Sequence, residues 1–308
     1  MTTMTPTVLL APSADLAKQV LSEKSVALTV EAEYGSYVAE GATYTAAHHQ
    51  PAGTKYAGRH VASGGRPSPC NDPSIPLVGE GTILVSHVDL DTFGGCLRAL
   101  GQSGLFLPGH QSFWDLAEFV DVRGPHKLGE SGASEEDLRR LYAFWAWSKS
   151  PKGTPRFPRD SVTDVTAVVT EAGDVLADIL HGDPRWLVAG DALKASEDDL
   201  NRRTFLRNDG AVIVRIAGFS RDFANHLYAG PDGKSAQAVA CYNKENGSVT
   251  ISLADPVPGV SCRVIVQSLW GPEAGGHDGI AGSPREKDMG EVGLLAAVRA
   301  LQAALAPR

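Results

Sequence analysis

The sequence predicts an α/β protein, with a parallel-sheet N-terminal catalytic domain and a smaller α+β C-terminal domain joined by helices. Three observations carry this. Before residue 160, short apolar runs of buried-strand length give way to helix starts, as where "TILVSHV" runs into "DTFGGCLRALGQSG". Residues 160–181 and 197–206 carry helical spacing, with Val165, Val168, Val169, Leu176, Ile179 and Leu180 on the first stretch. After about residue 210, "GAVIVRIAG", "SAQAVACYN", "GSVTISLAD" and "SCRVIVQSL" are β-type runs separated by Gly, Asn and Asp turns. The expected bodies are therefore residues 1–160, a helical linker over 161–204, and residues 205–308.

In chain order, residues 14–22 read as a helix and "SVALTVEAEYG" as a strand. "ATYTAAHHQPAG" is a second strand candidate, ending in His48 and His49 ahead of chain-breaking Pro51 and Gly53. Residues 51–80 are rich in Gly, Pro, Ser and Asn and read as a long loop, a kind of segment that is often functional. "LAEFVDVRGPHKLG" reads as a strand ending at Asp121, then a Gly-Pro turn and His126. "SEEDLRRLYAFWAWSKS" has a strong helix start, with Ser134 as cap and Glu135, Glu136 and Asp137 in the first turn, and "PKGTPRFPRD" breaks it. The chain closes on an amphipathic helix, "GEVGLLAAVRALQAALA".

Composition narrows the partners. A chain of 308 residues, 43% hydrophobic and 21% charged, suits a globular protein of one large or two medium domains. The formal net charge of -8 argues against a broad basic surface, so no long nucleic acid is expected, although a local phosphate pocket is compatible with it. Cys70, Cys96, Cys241 and Cys262 show no CxxC spacing, which argues against a disulfide framework or a zinc knuckle and fits free thiols in the cytoplasm. No apolar run reaches the length of a membrane span, and no basic stretch precedes a long apolar one near the N-terminus, so neither a membrane segment nor a signal peptide is expected.

The stretch "GTILVSHVDLDTFGG" is the main chemical signal. His87, Asp89 and Asp91 alternate behind Ile83-Leu84-Val85, and alternate side chains of an extended chain share one side. Ligands of parallel sheets gather at the carboxyl ends of strands. One imidazole and two carboxylates suit Mn²⁺, Mg²⁺ or Fe²⁺ better than zinc. Carboxylates bridging two such ions hold them about 3.5–4 Å apart, the spacing used to activate water and brace a phosphoryl group. The competing interpretation is a strand capped by polar loop residues, with Asp91 as N-cap of the next helix. Asp121, His126, and the pair His48 and His49 are further strand-end candidates; each has an ordinary turn or loop role as its alternative.

With these residues in view, the sequence resembles the DHH phosphoesterase superfamily. "SHVDLDTFGG" is similar to that family's HxDxD motif, set after a buried strand and before a helix. "NHLY" (Asn225 to Tyr228), "GSVTISL" and "GGHDGIAG" follow the order of the DHH-associated C-terminal domain. The resemblance covers roughly residues 80–125 and 205–308. It implies one or two Mn²⁺-like ions on His87, Asp89, Asp91 and Asp121, with His87, Asp89 and Asp91 serving catalysis. It also implies substrate binding by Gly275, Gly276, His277, Asn225 and His226. Glycines there let backbone N–H groups approach an anion, and His277 adds a donor. Arg207, Arg215, Arg221 and Arg263 are candidates for added positive charge. Two departures stand out: His87 lies far from the N-terminus, and no Asp-His-His follows it. Either His48 or His49 reaches the same metal from a rearranged N-terminal part, or "DVRGPH" replaces the missing motif through His126.

The expected function is a metal-dependent hydrolase, a phosphoesterase acting on a small phosphorylated or nucleotide substrate, with a homodimer as candidate assembly. The alternatives are a metal-dependent amide or ester hydrolase of a small metabolite, and a nucleotide-binding protein without catalysis.

Overall fold

The computed structural model describes residues 6–150, 153, 155–219, 222–285 and 287–306. It divides into two compact units, Met1–Leu193 and Lys194–Arg308. The first runs β1 (Thr7–Leu10), α1 (Ala14–Glu23), β2 (Val26–Val30), β3 (Glu33–Tyr34), β4 (Tyr37–Val38), β5 (Tyr44–Ala46), β6 (Thr82–Val85), α2 (Leu90–Ala99), α3 (Gln111–Arg123), α4 (Glu135–Ser148), β7 (Thr163–Asp164) and α5 (Thr166–Leu180), then enters α6 (Pro184–Thr204).

Its sheet has the order β5-β2-β6-β1-β7. The first four strands are parallel and β7 runs antiparallel to β1. Strand alternation sends side chains to both faces. Val8, Leu10, Leu28, Val30, Ile83 and Val85 pack with α2, α3, α4 and α5, while Leu9, Val26 and Leu84 pack with Ala17 and Val20 of α1. Burial on both faces is why these strands read as unbroken apolar runs. β1, paired on both sides within the sheet, was not singled out in the sequence.

The four parallel strands end flush, Leu10 beside Val85, Val85 beside Val30, and Val30 beside Ala46. Whatever follows these residues therefore gathers at one edge. The first turns of α2 are drawn to that edge by glycine. A Cβ on Gly94 would lie 2.5 Å from Cys70 Cβ, and one on Gly95 would lie 2.7 Å from Pro69 Cβ. Each mid-helix glycine costs about 0.5–1 kcal/mol. In return, α2 lies close enough to the 69–71 turn for the Cys70 N–H to donate to Asp91 Oδ1 at 2.8 Å.

Three expectations need correction here. Asp121 is not at a strand end but in the last turn of α3. Phe113, Trp114, Leu116 and Ala117 are buried at helical spacing, and the strand assignment rested on Phe119 and Val120 alone. Second, α5 is no linker, since Val169, Ala172, Leu176 and Ile179 belong to the first unit's core, and the division falls inside α6. Third, "SCRVIVQSL" is a helix, α7 (Cys262–Trp270), capped by Ser261, which accepts from the Val264 N–H. Cys262, Ile265 and Val266 are its buried stripe, and β-branched residues had masked that spacing.

The second unit contains β8 (Phe205–Asp209), β9 (Val212–Ala217), β10 (Ala238–Asn243), β11 (Val249–Leu253), α7, β12 (Gly275–Gly276), β13 (Ile280–Gly282) and α8 (Gly290–Leu305). Its mixed sheet has the order β12-β13-β11-β10-β9-β8, with only β9 and β10 parallel. Apolar residues of α7 and α8 cover one face, and the segment holding Ala224, Tyr228 and Ala236 packs on the other. All four cysteines are free and buried. Among the described residues, no helix is long and apolar enough to cross a membrane.

Candidate metal centre

The residue that organises the site was not anticipated. Glu31 follows β2 directly, is only 1% exposed, and has a φ of 50°, making it the one non-glycine residue with positive φ among those described. This left-handed conformation is sparsely allowed for a residue with a Cβ, and it tends to persist where the surroundings dictate it. It turns the carboxylate into the space between two groups of ligands. Glu31 Oε1 lies 2.8 Å from His48 Nε2 and 3.2 Å from His49 Nε2. Its Oε2 lies 3.4 Å from His87 Nε2. Two ligand clusters therefore share one carboxylate: Glu31, His48, His49 and Asp121; and Glu31, His87 and Asp89.

The HxDxD stretch works differently from an extended run. The strand ends at Val85, so His87 and Asp89 lie in the following turn, 3.2 Å apart, while Asp91 lies inside α2. Asp89, not Asp91, is the N-cap: its Oδ1 accepts from the Thr92 N–H at 2.9 Å, leaving Oδ2 toward His87. Asp91 is buried and points to the other cluster, its Oδ2 lying 3.8 Å from His48 Nε2. Asp121 arrives from α3, with Oδ2 3.2 Å from His48 Nε2 and Oδ1 3.8 Å from His49 Nε2. Glu118, one turn earlier, accepts from the Ser68 N–H and from Asn71 Nδ2, which fixes the helix against the 68–71 segment. His126 lies beyond α3 in the short 3-10 helix Pro125–Glu130, outside both clusters.

Hydrogen-bond bookkeeping fixes the histidines. Ser86 donates its one hydroxyl hydrogen to the Glu31 carbonyl, so its oxygen accepts from His87 Nδ1, 2.8 Å away. Ser68 donates to Asp121 Oδ2, and its Oγ lies 3.5 Å from His48 Nδ1. With hydrogen on Nδ1, both neutral imidazoles aim an Nε2 lone pair at carboxylates. Two acceptors face each other only if a proton or a cation lies between them. Glu31 Oε1 and Oε2, His48 Nε2 and Asp91 Oδ2 are all buried without a properly aligned hydrogen bond, despite their closeness. The backbone N–H groups of His48 and His49 both donate to Glu33 Oε2, and Gly58 leaves room for the His48 carbonyl, since a Cβ there would approach it to 2.3 Å.

The electrostatics agree. Burial opposes the charge on His48, but the Asp121 and Glu31 carboxylates close beside it outweigh that and raise its pKa to about 11. Partial loss of water around His87 is likewise outweighed by Asp89 and Glu31, giving about 10. Glu31 is disfavoured as an anion by burial, yet His48, His49 and His87 hold it well below the usual carboxylate range. Asp91 is pushed well above its ordinary value by burial and by the charges of Glu31, Asp121 and Asp89. That is the signature of more buried carboxylate than the protein's own cations neutralise. A fourth imidazole, His60, sits with its ring centre 6.0 Å from that of His48 and 6.3 Å from that of His49. Nitrogen and carboxylate oxygen donors without thiolate suit a Mn²⁺-type ion, so the donor set fits a divalent-metal site.

The family search and the search of curated proteins return no match to this sequence. Among solved structures there is a distant likeness. The fold is similar to that of RecJ from Thermus thermophilus, solved in complex with Mn²⁺. The TM-score is 0.37 at 13% identity, over 95% of this chain and 47% of that chain, so this chain spans about half the RecJ length.

The second unit places its expected residues around Ser252. Ser252 Oγ donates to the Asn225 carbonyl, and Ser252 is in register with Ile280. The Ile280 carbonyl accepts from the His277 N–H at 2.7 Å, closing a tight β12–β13 turn. Gly276 is required there: its φ is 146°, and a Cβ would lie 2.5 Å from Ala281 Cα. The His277 side chain is exposed, as is His226. Of the candidate arginines, Arg221 lies outside the described residues. Arg215 is fully buried and donates to the carbonyls of Leu227, Asn201 and Ala229 and to the side chains of Thr204 and Asn201. Those bonds occupy its guanidinium with neutral acceptors, which makes it a structural strut for the 224–229 segment.

Proposed function

We propose that the chain is a metal-dependent phosphoesterase using two divalent ions, of the Mn²⁺ type, on a small phosphorylated or nucleotide substrate. The observation that carries this is the sharing of buried Glu31 by two ligand clusters, one around His48, His49 and Asp121, the other around His87 and Asp89. The HxDxD resemblance adds the choice of bond, and the net charge of -8 favours a small anionic substrate over a polynucleotide.

Bound ions would supply a water of near-neutral pKa and positive charge for the developing oxyanion. The protein does the rest. Ser86 and Ser68 hold the imidazole hydrogens on Nδ1, so that Nε2 stays available. Glu33 fixes the His48–His49 backbone, and the Asp89 cap ties that ligand to the start of α2. His87, Asp89 and His49 are 48%, 45% and 39% exposed, against 1% for His48, so substrate reaches the centre over the edge that these three form. In the second unit, the turn holding Gly275, Gly276 and His277, with Asn225 and His226, is the proposed phosphate- or nucleotide-binding element.

Metal analysis of the purified chain, followed by assay with Mn²⁺ on bis-(p-nitrophenyl) phosphate and short oligonucleotides, tests this reading. Two equivalents of metal and hydrolysis of the phosphodiester are expected. No stoichiometric metal would overturn it; metal with cleavage of ester or amide substrates alone would move the activity to a different bond.

A further inference from the structure

A cleft of about 740 Å³ opens in the first unit beside the metal centre. It lies past the ends of β1 and β6, where Leu10, Ser86 and His87 form part of its lining, and the segment Pro155–Arg159 supplies the rest together with Pro12 and Val88. The volume is in the range of ligand-binding clefts. None of the lining residues is acidic, although the adjoining ligand clusters are rich in carboxylates.

The segment brings two arginines in five residues, Pro155-Arg156-Phe157-Pro158-Arg159. Both arginines are exposed, and among the described residues neither is ion-paired with a carboxylate. Phe157 packs against the hydrophobic core of the unit, which anchors the segment between its two charges. Pro155 and Pro158 each fix φ near −65° and lower the entropy of holding the guanidinium groups in place. Arginine's planar fork matches the oxygens of a phosphate and binds it in bidentate fashion.

We propose that this cleft is a subsite for a second, non-reacting phosphate of the substrate, held by Arg156 and Arg159 while the scissile phosphoester lies against His87 and Asp89. The substrate class is thus a phosphoester that carries another phosphate a short distance from the bond cleaved. This rests on the phosphoesterase reading, and the test separates the two.

The full chain and its R156Q/R159Q variant are titrated calorimetrically, metal-free so that nothing turns over, with a dinucleotide bearing a 5′-phosphate and the same dinucleotide without it. The native protein should bind the phosphorylated form about 10- to 100-fold more tightly, the range set by one or two charge-assisted hydrogen-bonded contacts. R156Q/R159Q should lose that preference, and R156K/R159K, which keeps the charge without the fork, should keep part of it. Both dinucleotides are then offered to the Mn²⁺-loaded native protein. If neither is cleaved but the binding preference is present and lost in R156Q/R159Q, the subsite stands and the phosphoesterase reading falls. A native protein without the preference, or a folded R156Q/R159Q variant that keeps it, overturns the subsite whatever the hydrolysis result.

Discussion

Replacing Glu31 separates two properties that the structure joins in one residue, metal binding and backbone strain. Glu31→Gln keeps the shape but removes the charge shared by both clusters. The first cluster falls from four ligands to three, and the second from three to two, His87 and Asp89. Those two are 48% and 45% exposed, so water competes fully for an ion held by them alone. The expected result is loss of the second equivalent of metal, and a loss of affinity for the first beyond the roughly 10–100-fold that removing a supporting residue costs. Glu31→Gly should do the same to metal binding, but it also removes the Cβ from a backbone held at φ 50°. Relief of that conformation is worth roughly 1 kcal/mol. Glu31→Ala removes the same buried carboxylate but keeps the Cβ, so for a unit of this size the melting temperature of Glu31→Gly should lie about 2–4 °C above that of Glu31→Ala in metal-free buffer. Metal content after dialysis, Mn²⁺ calorimetry and thermal melts measure all three quantities. Two tightly held equivalents in Glu31→Gln would refute the shared-carboxylate geometry, and a Glu31→Gly protein less stable than Glu31→Ala would refute the strain.

Metal uptake should release at least about two protons near neutral pH, because His48 and His87, raised to about 11 and about 10, must give up theirs, and His49, also raised by Glu31, adds to them. Calorimetry in buffers of different ionisation enthalpy counts those protons, and the affinity should rise with pH. The metal-free protein should show the opposite trend: histidines whose pKa is raised on folding stabilise fully below about pH 6.5, and that contribution is lost as pH rises through about 10 and 11. Ser86→Ala frees the His87 ring and should lower metal affinity roughly 10–100-fold without unfolding the chain, read by the same titration. Arg215→Met leaves the Leu227 and Ala229 carbonyls and the Asn201 side chain without their donor. Each buried neutral acceptor left without a donor costs about 1–3 kcal/mol, so urea denaturation should show a loss of at least about 3 kcal/mol, while metal content stays at the native level.

Much of the architecture was legible because it rests on periodicity. β6, α2 and α4 announced themselves by an apolar run or a capped helical pattern, and the cap at Ser134 is where the sequence puts it. Where residues of one type serve both periodicities, the signal failed. α7 is built from Val, Ile and Cys, and its helical stripe is visible only when Cys262, Ile265 and Val266 are counted by spacing. The site was legible in part. His87, Asp89, Asp91, Asp121, His48 and His49 do converge, but no local pattern marks Asp121 within a helix. Glu31 looked like one more residue of an alternating strand. Its single local sign is a carboxylate directly after an apolar run that ends in line with Val85 and Ala46, and that alignment is a property of the sheet, not of any one segment.

Because Asp121 is carried by a helix and not by a loop, tolerance to changes of chain length is unevenly distributed around the centre. One residue inserted between Gln111 and Glu118 rotates the Asp121 carboxylate by about 100° around the α3 axis, away from His48, and carries Glu118 off Ser68 with it. The same insertion among residues 51–66, where turns and isolated bridges replace strand ladders, can be absorbed as a larger bend outside Gly58. The site thus has a rigid side that dictates its length to the residue, and a pliant side on which new chain can be added.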